Sequence, residues 1–214
     1  MRMTVRMTML NVLMVLMSLM TGAQKAAAQQ LSAAQQAATT APPAFEMTSV
    51  YYDEDWIPVQ YTCGVPDSLS PRVQWTGAPS GTMSFALIFH DPDAAPAKGA
   101  MDVTHWILWN IPAGSAELSP GVQPDTSPDG IQQGKSVRGA NGYQPPCPPV
   151  GARPHHYVFE LYALDAKVDL PAGSTRADLL KAIDGHVLGK SSLVGIFGQK
   201  VDDKTWRWDL AKLP

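Results

Sequence analysis

Residues 84–96 read SFALIFHDPDAAP. The first seven form an unbroken apolar run that closes on a histidine and an Asp-Pro turn. Its length and its aromatic and β-branched content predict a strand buried on both faces rather than a helix. Residues 103–111 (VTHWILWNI) and 156–164 (HYVFELYAL) have the same character, and 187–197 (VLGKSSLVGIF) reads as a further strand interrupted by glycine. A shorter strand is expected at 73–75, between Pro71 and Gly77. One helix is predicted, capped by Ser174 or Thr175, with Asp178 in its first turn, a stripe of Leu179, Leu180 and Ile183, and Gly185 at its end. The chain has 17 glycines and 19 prolines in 214 residues, which favours turns between short strands. A mainly β domain is therefore expected.

Upstream of this domain the chain changes character. Arg2 and Arg6 precede an apolar run at 9–20 (MLNVLMVLMSLM), too short for a comfortable membrane span, and small residues follow at 21–23 and 26–28. Residues 1–28 read as a cleavable signal peptide, residues 29–44 as a low-complexity Ala/Gln/Thr linker ending in Pro-Pro, and 45–214 as the folded domain. The protein is thus expected to be exported, periplasmic or secreted; the other reading of the leader is an uncleaved anchor. Cleavage after Ala28 would remove three cations and no acid, taking the net charge from −3 to −6. An acidic body without basic stripes argues against nucleic-acid binding. Any anion site must then be made locally by histidines and backbone N–H groups.

The two cysteines, Cys63 and Cys147, are 84 residues apart. In an oxidising compartment they invite a disulfide worth up to roughly 4–5 kcal/mol by loop-closure arithmetic; the alternative is two free thiols. Without a CxxC spacing a zinc site is not expected.

Four features could carry chemistry. Asp91 and Asp93 follow the first strand, where an Asx-turn is the simplest use of Asp91. His105 sits in an apolar strand and must find a partner if buried. His155 and His156 open another strand, so only one of them can share a face with a given neighbour. Residues 141–149 (NGYQPPCPP) are stiffened by prolines and suit a rigid pocket wall. Residues 112–149 otherwise look like a long loop of little periodicity, of the kind that is often functional. Its Asp125, Asp129, Lys135 and Arg138 read as solvated charges.

Taken together, the sequence resembles the phosphatidylethanolamine-binding family, and within it the bacterial Raf-kinase-inhibitor-like branch, from about residue 45 to 200. The matching residues are Ile57-Pro58-Val59 with Tyr61-Thr62-Cys63, Ser70-Pro71, Val73-Gln74-Trp75, Asp91-Pro92-Asp93-Ala94, His105-Trp106, Trp109-Asn110-Ile111-Pro112, Gly142-Tyr143, Pro146-Cys147-Pro148-Pro149, and His155 with Tyr157-Val158-Phe159. The resemblance implies a PEBP-like Greek-key β-sandwich of antiparallel sheets with short peripheral helices. It also implies a pocket for phosphate-type anions, including phospholipid head groups, with Asp91, Asp93, His105 and His155 as ligand-binding residues and Tyr143, Pro146 and Tyr157 as walls. No cofactor and no metal are implied. Family members include kinase and protease inhibitors, so an inhibited protein enzyme is a further expected partner, although export separates this chain from cytosolic kinases.

Two imidazoles can donate to phosphate oxygens, and a nearby carboxylate is expected to raise an imidazole's pKa. The sequence departs from the family pattern in three places. An extra alanine leaves either Ala95 or Pro96 as the pocket proline. His156 stands where an arginine is usual, and Gln199 does the same near the C-terminus. The competing reading is a weak hydrolase using His and Asp, alone or with a metal. No nucleophile motif such as Gly-x-Ser-x-Gly supports it.

Overall fold

The structure, a computed structural model, describes residues 22, 24–32, 43–94, 102–124 and 130–200. The chain divides into two units, Met1–Pro43 and Ala44–Pro214. In the first, residues 22 and 24–32 are helical, spanning the end of the expected leader and the start of the expected linker. The rest of both, except residues 43 and 44, lies outside the described residues, as do Ala95, Pro96, Asp125, Asp129 and residues 201–214.

The described residues of the second unit form nine strands: β1 (Glu46–Ser49), β2 (Asp55–Trp56), β3 (Val73–Thr76), β4 (Ser84–Asp91), β5 (Val103–Pro112), β6 (Glu117–Leu118), β7 (Gln132–Gln133), β8 (His155–Leu164) and β9 (Val187–Phe197). They form a three-stranded sheet, β1-β3-β6, and a six-stranded sheet, β2-β9-β8-β4-β5-β7. All pairings are antiparallel except β2 with β9. Strand β8 returns to lie beside β4, giving the order β8-β4-β5-β7, which is a Greek key.

All eight residues of β4 are buried, as the apolar run predicts. Alternation explains how. Phe85, Leu87 and Phe89 face the small sheet and pack with Met47, Val73, Trp75 and Leu118. Ala86 and Ile88 face the other way, onto Ile107, Trp109, Leu164 and the helix residues Leu179 and Ile183. Phe89 anchors the first cluster, its ring 4.0 Å from that of Phe159 and stacked at 14°.

The helix is Arg176–Ile183. Thr175 caps it in a reciprocal box with Asp178, and Gly185 follows its end at φ 82°. Leu179 and Ile183 point inward, but Leu180 does not complete the expected stripe and is 37% exposed. Only the positions four apart reach the sheet.

The expected long loop at 112–149 also needs correction, since it contains β6, β7 and a bridge between Lys135 and Asn141. Buried Gln133 explains part of that order. Its Oε1 accepts from the Trp106 indole at 2.7 Å, and its Nε2 donates to the Gln123 carbonyl at 2.7 Å. Polar residues used in this way leave no hydrophobic periodicity to read. Cys63 and Cys147 are joined by a disulfide with Cα atoms 5.3 Å apart.

Phe89→Ala should cost about 3–5 kcal/mol, as for other large core aromatics. Urea unfolding would measure it, and a loss below about 1 kcal/mol would contradict a central role for this inter-sheet cluster.

Candidate functional site

Asp91 is the last residue of β4 and is 3% exposed. Alternation places it on the same side as Phe89. Its Oδ1 accepts from the backbone N–H groups of Asp93 (2.9 Å) and Ala94 (3.1 Å), forming the Asx-turn. Its Oδ2 accepts from His155 Nδ1 at 2.8 Å. One carboxylate therefore shapes the turn and also orients an imidazole. The bond fixes the proton on His155 Nδ1 and leaves Nε2 as the remaining ring nitrogen.

His105 lies on β5 and is 5% exposed. Its Nδ1 donates to the Gln144 carbonyl at 2.8 Å, while the Gln144 N–H donates to the His105 carbonyl at 2.8 Å. This reciprocal pair clips the proline-rich wall to β5. Burial lowers the His105 pKa below the ordinary 6.5, outweighing the Gln144 bond and the Asp91 charge. The expected upward shift from a carboxylate therefore does not hold for this imidazole. Tyr157 lies edge-on to His105, with ring centroids 5.2 Å apart. Its hydroxyl is buried next to Asp91 but has no well-formed hydrogen bond among the described residues. Burial, with the Asp91 charge, pushes its pKa far above normal and keeps it a proton donor.

Asp91, His105, His155 and Tyr157 line one cavity of about 220 Å³, with Cys147 and Pro148 in its wall. Organic-ligand pockets usually start near ~300 Å³, so this one suits a small ligand. A larger groove of about 370 Å³ lies along residues 47–53, but Asp53 is its sole charged group and is engaged by the Val194 N–H at 2.7 Å. Volume alone would point to the wrong place.

Three predicted site residues do not line the cavity. Asp93 turns away and holds the start of β8, accepting from the His156 backbone N–H (2.8 Å), the His156 ring (2.7 Å) and Arg153 (2.9 Å). Burial works against its charged form, yet these bonds win and lower its pKa. Tyr143 packs in the core, parallel to Phe89 at 5.8 Å, and donates its hydroxyl to the Tyr61 carbonyl at 2.7 Å. Pro146 is buried, and its carbonyl accepts from Cys63 N–H at 3.0 Å. Tyr143 and Pro146 support the wall from behind.

Sequence reasoning missed two groups. Arg138, read as a solvated charge, lines the cavity beside Val137 and Gln144. No periodicity could have placed it, because the turn that carries it is defined by backbone bonds. The second group lies on the helix side of the sheet. His90 Nδ1 meets Asp102 Oδ2 at 2.5 Å, Asp102 also pairs with Arg176, and Glu160 accepts from Lys190 (2.5 Å) and Tyr162 (2.8 Å). Burial, then the Arg176 charge, lowers the His90 pKa despite its two carboxylate neighbours. This network seals the helix-facing side of the β4 end that carries Asp91.

The profile of the family described as phosphatidylethanolamine-binding protein matches residues 48–198. A UPF0098 protein of Methanothermobacter thermautotrophicus is 44% identical over 152 residues, covering 70% of this chain and 95% of that protein. LppC of Mycobacterium tuberculosis, named as a candidate lipoprotein, is 36% identical over 164 residues, 75% of this chain and 77% of its own length. The crystal structure of E. coli YbcL, described as a member of the mammalian PEBP family, superposes with a TM-score of 0.65 at 28% identity, covering 73% of this chain and 99% of YbcL.

The lowered imidazole pKa values have a consequence for stability. His90 and His105 resist protonation when folded but accept a proton at the ordinary 6.5 when unfolded. The unfolded state therefore binds more protons below that pH, and stability must fall as pH drops through this window. Asp93 and Glu160, whose pKa values are lowered, add a second loss at more acidic pH, as carboxylates protonate. The melting temperature of ligand-free protein should thus begin to fall between about pH 7 and pH 5, ahead of the carboxylate step. A flat profile across that interval would contradict the two histidine environments.

Proposed function

The chain belongs to the phosphatidylethanolamine-binding protein family, and on that premise we propose that its cavity is a receptor for a phosphate-type anion, either free or carried as a phospholipid head group. The observation that carries this reading is the convergence of the Asp91–His155 pair, His105 and the buried Tyr157 hydroxyl on one small cavity. Each supplies what an anion needs. Tyr157 offers a buried O–H that an anion oxygen can accept. His155 and His105 each have Nδ1 committed, to Asp91 and to the Gln144 carbonyl, so Nε2 is the ring nitrogen each has left for an anion, and a proton arriving there makes His105 a cationic donor.

Binding on this scheme takes up protons. Burial disfavours the His105 imidazolium in the empty pocket, and a bound anion reverses that preference.

We read the protein as a binder rather than an enzyme. Among the described residues the cavity wall includes no serine, threonine or lysine, and Cys147 is in a disulfide. The alternative, a metal-assisted hydrolase, has little to work with. Both Asp91 oxygens are engaged by His155, Asp93 and Ala94, leaving two imidazole nitrogens rather than three donors for a metal. Inhibition of a partner enzyme would be a second use of an occupied pocket and rests on the family alone. Export is supported by the leader-like segment at 1–28 and by the lipoprotein name of one relative. No helix among the described residues is long and apolar enough to cross a membrane.

Sulfate tests the scheme cleanly because it stays a dianion across the working range. Its affinity by calorimetry should rise at least about tenfold from pH 8 to about pH 5.5, with net proton uptake. His105→Ala and His155→Ala should each weaken it by roughly tenfold or more. An affinity independent of pH and of both substitutions would end the proposal.

A further inference from the structure

Resting on the anion-receptor reading, we infer that Arg138 reads a second negative charge on the ligand, so that the pocket prefers a phosphomonoester dianion to a phosphodiester monoanion. Arg138 lines the same cavity as the two imidazoles. Among the described residues lining it, Arg138 is the only arginine and no lysine accompanies it.

The backbone around Arg138 is held, although its side chain is exposed. Gly139 N–H donates to the Ser136 carbonyl at 2.9 Å, closing a turn with Arg138 at its third position. Gly139 takes the positive φ of 78° that lets the chain leave this turn. Ser136 N–H donates to the Ala140 carbonyl at 2.8 Å, and the bridge between Lys135 and Asn141 closes the base. Val137 N–H donates to the Thr104 carbonyl at 2.8 Å, one residue before His105 on β5. Arg138 is therefore positioned against the strand that supplies His105.

Other positive groups nearby are committed elsewhere. Arg153 and His156 are held by Asp93, which lies outside the cavity wall. Gln199, near the wall, carries no charge and braces it by donating to the Pro148 carbonyl at 2.5 Å. No ion pair is formed by Arg138 among the described residues. A planar guanidinium can present paired N–H donors to two oxygens of a phosphate.

A phosphodiester has one negative charge, which the imidazoles and Tyr157 can answer. A monoester near neutral pH carries close to two, since its second ionisation lies near pH ~6. The extra charge needs a permanent cation, and the apolar lining residues Val103, Val137 and Pro149 offer contact for the ester substituent.

Calorimetry at about pH 7 with phenyl phosphate and diethyl phosphate would test this on wild type, Arg138→Gln, Arg138→Lys and His155→Ala. Arg138→Gln should weaken phenyl phosphate roughly tenfold and change diethyl phosphate less than about twofold, with an unchanged melting temperature. Arg138→Lys should fall between, keeping charge without the fork. His155→Ala should weaken both probes. If Arg138→Gln leaves the ratio of the two affinities unchanged, Arg138 is a solvated surface charge and this inference fails while the receptor reading stands. If wild type binds neither probe, both fail.

Discussion

Strand β4 is buried on both faces and ends on a carboxylate, and that constraint governs the pocket. Eight consecutive residues with no solvent face leave no freedom of register, because a one-residue slip would exchange Phe85, Leu87 and Phe89 with Ala86 and Ile88. The same alternation sends the two polar residues at its end in opposite directions. Asp91 goes to the cavity and His90 to the helix side. Each is then satisfied locally, Asp91 by two backbone N–H groups and His155, and His90 by Asp102. A buried carboxylate that is three times bonded keeps its place without help from the ligand.

The pocket wall follows from a second constraint. Residues 143–149 contain four prolines and cannot form a strand ladder, so they are held from outside. The clip between His105 and Gln144, the disulfide to Cys63, the Tyr143 hydroxyl on Tyr61 and the Gln199 bond to Pro148 all act on this short stretch. These bonds fix one wall of the cavity of about 220 Å³.

The electrostatics of the chain and of the cavity run in opposite directions. The protein is acidic overall, with a net charge of −3. The cavity holds Asp91, two imidazoles and Arg138. Burial lowers the His105 pKa and so favours its neutral imidazole.

Much of this was legible in the sequence. The four long strands, the helix and its cap follow from periodicity and turn chemistry, because burial on one or both faces is written directly into residue type. Asp91, His105 and His155 were recognisable as a set only through their motif resemblance. The roles of Asp93, Tyr143 and Pro146 went unread, since a strand's own pattern does not say which neighbour a polar group will meet across the sheet. Arg138 and the His90 network stayed hidden for the same reason. Alternation and composition are properties of consecutive residues and survive in the one-dimensional string. The bonds that join Asp91 to His155, Gln144 to His105 and Val137 to Thr104 span tens of residues, and only the packed sheet brings their ends within reach.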